Sequence, residues 1–181
     1  LRCLTELAPA GTVDPAAIDA ARQAVVASKP AAAVVKKQKD TGVWAGNLLG
    51  RAASKATGVK DVGTIPQYRR LLQMGYPLTG RPFKLADRLL FRLLSRDDDP
   101  ALLFEFRKMA AGDTHAESWA RWVIREASCA ALAEAGHIED PRLRGSAHKV
   151  ASAVSQFLRS TLSEKPFVKV AGKTILHPEA Y

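Results

Sequence analysis

Catalysis needs nucleophiles, acids, bases or metal ligands in a workable spacing, and this chain of 181 residues offers few such groupings. Cys3 and Cys129 lie far apart, outside the short spacings of zinc sites and disulfide frameworks, and fit a reducing, cytoplasmic setting. His115, His137 and His148 form no i, i+4 pair, so solvent-facing or capping roles are expected and no metal is assigned. Asp97-Asp98-Asp99-Pro100 is an acidic run ending in a proline, the arrangement of a helix cap rather than of a proton donor. Glu105, Glu117 and Glu126 are acids or bases by type, but nothing sets them against a nucleophile, and they read as solvated helix faces. The sequence has no G-x-x-x-x-G-K-[ST] phosphate loop, no G-x-S-x-G elbow and no H-E-x-x-H, and it implies no cofactor.

What the chain does have is positive charge in one region. Between Lys29 and Arg92, thirteen Lys and Arg stand against Asp40, Asp61 and Asp87, an excess that accounts for the whole net charge of +9. Lys84, Arg88, Arg92 and Arg96 recur every fourth residue, which puts them on one edge of a helix. Lys36, Lys37, Lys39, Arg69 and Arg70 are close to them in sequence. Like charges at that spacing repel by a few tenths of a kcal/mol per pair, so an unopposed stripe suggests a polyanionic partner, nucleic acid or an acidic protein. A solubilising surface is the plainer explanation of the same residues.

The elements that must carry these groups are helices. Alanine is abundant and aromatic residues are few, a composition that suits closely packed helices. Asp14-Pro15, Asp99-Pro100 and Asp140-Pro141 each place a capping acceptor before a proline suited to the first helical position. Pro30 and Pro82 mark two further starts, Thr64 and Thr114 are candidate caps, and Gly75 and Gly136 are candidate left-handed terminators. The pattern predicts helices over 14–27, 30–38, 64–74, 82–95, 99–110, 114–135 and 141–161, with a short one from Asn47 to about Ala56. Trp119, Trp122, Val123, Ala127, Ala130 and Leu132 read as a core stripe. Short connections make successive helices antiparallel neighbours. The segments Phe167–Val170 and Lys173–Leu176, flanking Ala171-Gly172, suit a small hairpin, and an extended arm suits them equally.

One local pattern carries a family resemblance. Gln38-Lys39-Asp40-Thr41-Gly42-Val43-Trp44 resembles the Gln-x-x-x-Gly-x-Trp turn of the α/α-toroid repeats in terpenoid cyclases and protein prenyltransferases. The resemblance implies that the glutamine ends a helix, the glycine allows a tight turn and the tryptophan stacks back on the helix end. With the helix at 30–38 before it, it covers about a twelfth of the chain, and it occurs once. It brings no catalytic residue with it: the cyclases' Asp-x-Asp-Asp has no counterpart in Asp97-Asp98-Asp99-Pro100, and Ala127-Ser128 stands where the prenyltransferases' zinc-binding Asp-x-Cys would precede Cys129. The helix starts at Asp99 and Asp140 have a HEAT-like period, so a HEAT-like solenoid stays beside the toroid.

The expected molecule is therefore all-α, with antiparallel helical hairpins stacked as an α/α-toroid-like or HEAT-like repeat over 1–163. Residues 164–181 form an extended C-terminal arm. A start at Leu1 without methionine suggests a piece of something longer. The expected role is a non-catalytic binding module whose polyanion-binding residues are Lys36, Lys37, Lys39, Arg69, Arg70, Lys84, Arg88, Arg92 and Arg96. The alternatives are a fragment of a toroid-type enzyme and a HEAT-like DNA glycosylase, in which Trp119 or Trp122 would contact a damaged nucleotide.

Overall fold

Capping fixes where the helices begin. The Asp14 side chain accepts from Ala16 N at 3.0 Å and opens α1 (Pro15–Ala27). Ser28 closes α1, its N–H donating to Val25 O, and then caps α2 (Lys29–Lys36) as its hydroxyl accepts from Ala31 N. Asp140 does the same for α6 (Pro141–Arg159), accepting from Arg142 N at 2.9 Å. Between them lie α3 (Thr64–Met74), α4 (Arg81–Ser95) and α5 (Thr114–Glu134). The structure, a computed structural model, describes residues 8–9, 11–50, 62–95, 103–110, 112–170 and 172–176.

The described residues are mostly helical, with one two-stranded hairpin. Gly75 (φ 74°) and Gly136 (φ 88°) end α3 and α5 in the left-handed conformation that glycine reaches without strain. Two expected caps are displaced by one residue. Gly63 is the N-cap of α3, and the Thr64 hydroxyl instead donates to Asn47 O at 2.8 Å. Asp113, one residue before Thr114, accepts from Ala116 N at 3.1 Å at the start of α5.

The helix expected over 99–110 differs more. Residues 99–102 lie outside the described residues, and Glu105–Met109 is a π-helical turn closed by Ala110 N donating to Glu105 O. Leu103, Phe104, Glu105 and Phe106 are buried in succession, which a helix with a single buried face cannot provide. The helix expected from Asn47 falls largely outside the described residues. Asn47 itself sits in an isolated bridge with Trp44, its carbonyl accepting from Thr64 N.

The core forms where α3, α4 and α5 meet. Tyr68 and Leu71 of α3, Phe83, Ala86 and Leu90 of α4, and Ile124, Ala131 and Leu132 of α5 are fully buried. Tyr68 and Phe83 pack edge to face with centroids 4.9 Å apart. Against this centre α1 buries no residue and α6 buries only Leu143. Strands β1 (Phe167–Val170) and β2 (Lys173–Leu176) pair antiparallel, Phe167 facing Leu176 and Val170 facing Lys173, with Gly172 at φ 76° in the turn. The tail thus has the hairpin form. Among the described residues no helix is long and apolar enough to cross a membrane.

Candidate functional site

The turn after α2 is fastened at every position its pattern singles out. Gln38 Nε2 donates to Gly42 O at 3.1 Å, closing the turn, and to Pro82 O at 2.9 Å, joining it to α4. Gly42 has φ 89°, and a Cβ there would stand 2.3 Å from Leu85 O, so backbone meets backbone with no room for a side chain. Trp44 is 1% exposed, and its Nε1 donates back to Val34 O at 2.8 Å. The turn is seated on the first turns of α4.

That seating has an electrostatic consequence. Lys36, Lys37 and Lys39, all exposed, are brought beside the stretch of α4 that carries exposed Arg81 and Lys84. From Lys84 the exposed edge continues through Arg88 and Arg92, while Phe83, Ala86, Leu89, Leu90 and Leu93 face inward. Arg81 pairs with Asp40 at 2.6 Å, a bridge between two largely exposed groups that contributes little. Lys36, Lys37, Lys39, Lys84 and Arg88 have no carboxylate partner among the described residues.

The other expected cations are placed differently. Arg69 is half-buried and its Nε donates to Glu134 Oε2 of α5 at 2.8 Å, linking α3 to α5. Arg70 is exposed on α3, and no contact among the described residues links it to the line on α4. Arg96 lies outside the described residues, as do Asp97 to Pro100.

Two polar clusters were not anticipated from sequence. Asp87 of α4 accepts from the Tyr68 hydroxyl at 2.6 Å and lies 3.2 Å from His137 Nε2, an ion-pair distance without hydrogen-bond alignment. Burial first, then the Asp87 bond and charge, push the Tyr68 hydroxyl far above its ordinary value, so it stays protonated and donating. His137 also packs edge-on against Phe91, 5.3 Å between centroids, so its role is not merely solvent-facing. Together these groups bind α3, α4 and the end of α5 to one another.

The second cluster overturns the reading of Glu105 as a solvated face. Glu105 is 3% exposed, and its Oε1 accepts from Leu48 N and Leu49 N, both at 2.8 Å. Its Oε2 is buried without a partner, as are Asn47 Oδ1 and Gln67 Oε1. An acid inside the apolar run Leu103-Phe104-Glu105-Phe106 is the signal that could have flagged it. Cys129 is buried, and burial pushes its thiol up, which makes it a poor nucleophile. Glu117 and Glu126 are half-buried, His148 is exposed, and nothing is described of the His115 side chain. Among the described residues no three His, Cys, Asp or Glu are grouped to hold a metal.

Where α4 ends, a groove of about 260 Å³ opens between α5 and α6. On the α5 side it is walled by Trp122, Arg125 and Glu126, and on the α6 side by Arg142, Ser146 and Lys149, with Gly145 between them. Ser95 borders it from α4. The Arg142 guanidinium stacks 4.1 Å above the Phe91 ring and bonds both carboxylate oxygens of Asp140. Trp119, expected in the core, is 54% exposed and lies on the same side of α5 as Trp122 and Glu126, one turn earlier. The buried residues of α5 are Ala120, Ile124, Ser128, Cys129, Ala131 and Leu132, so of the expected stripe Leu132 is the one that is fully buried. Compared with known proteins, the chain matches no family model, no curated sequence and no solved structure.

Proposed function

We propose that this chain is a non-catalytic helical module that binds nucleic acid through its phosphates. The observation that carries the reading is the line of exposed cations running from Lys36, Lys37 and Lys39 through Lys84 to Arg88 and Arg92; Lys36, Lys37, Lys39, Lys84 and Arg88 lack a carboxylate partner among the described residues. Cations four residues apart rise about 6 Å along a helix, so the line is an extended track and not a pocket for one anion. A regularly charged strand fits such a track better than the mixed surface of an acidic protein.

Labelled single-stranded and duplex oligonucleotides, titrated between 20 and 200 mM salt, test this. With about four phosphate contacts, log affinity falls against log salt with a slope of roughly −3 to −4. The double variant Lys84→Glu, Arg88→Glu lowers affinity for both forms and flattens the slope, whereas Arg159→Glu, on α6, leaves them unchanged. No binding at the lowest salt would sink the proposal.

A second reading, that the chain is one part of an α/α-toroid enzyme, is supported by the fastening of Gln38, Gly42 and Trp44 described above. Further Gln-x-x-x-Gly-x-Trp turns and an aspartate cluster in a longer reading frame would favour it. Repeat stacking of either toroid or HEAT-like kind belongs to the same proposal.

A further inference from the structure

We propose that the groove between α5 and α6 seats one unpaired nucleotide, so that the chain prefers single strands to duplexes. This rests on the nucleic-acid reading above and gives it a substrate class. The first argument is continuity. Ser95, at the rim, follows Arg88 and Arg92 along the exposed edge of α4, so the line of cations leads to the mouth of the groove.

The second argument is the division of labour between the walls. The α5 wall presents the Trp122 indole, on which any base can stack, and the Glu126 carboxylate, which repels phosphate and accepts from a base amino group, while Arg125 between them is turned to α4, its Nε donating to Leu93 O at 3.1 Å. The α6 wall presents Lys149 and the Ser146 hydroxyl, both suited to a phosphate, beside Arg142, whose guanidinium is held by Asp140 and Phe91. Lys149 is exposed and has no ion-pair partner among the described residues. Base towards α5 and phosphate towards α6 is the orientation these charges allow.

Size is the third argument. About 260 Å³ lies just under the ~300 Å³ at which pockets for drug-sized ligands begin, room for one base with its sugar and phosphate. A base pair does not fit. Trp119, exposed one turn away, offers a second stacking surface to the neighbouring base, which accounts for an indole left in solvent.

Gly145 supplies a test that removes none of these groups. A Cβ there meets nothing within 4 Å, so Gly145→Leu fills the groove from its floor and replaces a mid-helix glycine by a better helix former. Affinities for oligo(dC) and for a duplex of equal length are measured by anisotropy at low salt, together with melting temperature and tryptophan fluorescence. The expected result is wild-type preference for the single strand with indole quenching. Gly145→Leu loses about tenfold or more on the single strand, none on the duplex, and melts no lower. Gly145→Ala, too small to fill the space, keeps the preference.

A wild type that binds both forms equally, or a Gly145→Leu variant that still prefers the single strand, overturns the groove while leaving the phosphate track in place. A wild type that binds neither form overturns both. Should Gly145→Leu melt lower, Trp119→Ala, at an exposed position, is the second variant. It must weaken single-strand binding selectively, and an unchanged preference overturns the proposal.

Discussion

Gly42 is the residue on which the cation line depends, because its φ of 89° and its approach to Leu85 O let the turn sit on α4. Gly42→Ala combines left-handed strain with a backbone clash and is expected to lower unfolding free energy by more than about 2 kcal/mol in denaturant titrations. Gly112 has a similar φ of 83° but open space around it, so Gly112→Ala costs about 1 kcal/mol, and the difference isolates the clash. Asp140 gives a second expectation. The Arg142 side-chain bond, outweighing burial, lowers its carboxyl from 3.8 to about 2. A folded value below the unfolded one stabilises above pH 3.8 and is lost as pH falls towards 2. Asp140→Asn keeps the cap but removes the charge, so stability followed across that window declines less steeply than in the wild type. The Gln38 to Trp44 turn was legible because the bonds that shape it, Gln38 to Gly42 and Trp44 to Val34, are local and its residue types are dictated by the turn, whereas the bond from Gln38 to Pro82 was not foreseeable. Glu105 was not, since its partners Leu48 and Leu49 lie 57 and 56 residues away and no periodicity announces them.

The starts of α1 to α6 could be read, and so could the caps at Asp14 and Asp140, but at Thr64 and Thr114 the cap itself was misplaced by one residue, since glycine or a neighbouring aspartate does the work. The face that a helix buries is a different matter. On α5 the large apolar residues suggested the inner line, which Leu132 does join, but close approach of neighbouring helices otherwise selects small residues, Ala120, Ser128 and Ala131, around Ile124. Trp119 is thereby turned outwards, and Trp122 is left half-buried. Burial also ranks the elements by stability. α4 buries seven residues and α1 none, so α1 has little beyond its own hydrogen bonds and its caps to hold it. Native-state hydrogen exchange is expected to show α1 amides exchanging through local opening, with protection well below that of α4, whose central amides exchange only on global unfolding. Equal protection of the two helices would mean that α1 is covered by something the described residues do not include.

For the whole molecule, the net charge of +9 is concentrated enough to be felt as self-repulsion. Lys84, Arg88 and Arg92 repel along α4, and Lys36, Lys37 and Lys39 are held beside its first turns by the bonds of Gln38. Each close like-charge pair costs a few tenths of a kcal/mol at low ionic strength, and the cost fades as the screening length shortens from about 30 Å at 0.01 M to about 10 Å at 0.1 M. Folding and binding must then respond to salt in opposite directions. Raising sodium chloride from 10 to 200 mM weakens oligonucleotide binding, yet it relieves the repulsion in the free protein. With a total relief of about 0.5 kcal/mol, and roughly 2–4 °C per kcal/mol for a chain of this size, the melting temperature rises by about 1–2 °C. In Lys84→Glu, Arg88→Glu the repulsion is already replaced by attraction to the neighbouring cations, so the same salt leaves its melting temperature flat or lowers it. A wild type whose stability ignores salt over this range would mean that the cations are too well separated or too well solvated to act together, and the track would lose its electrostatic basis.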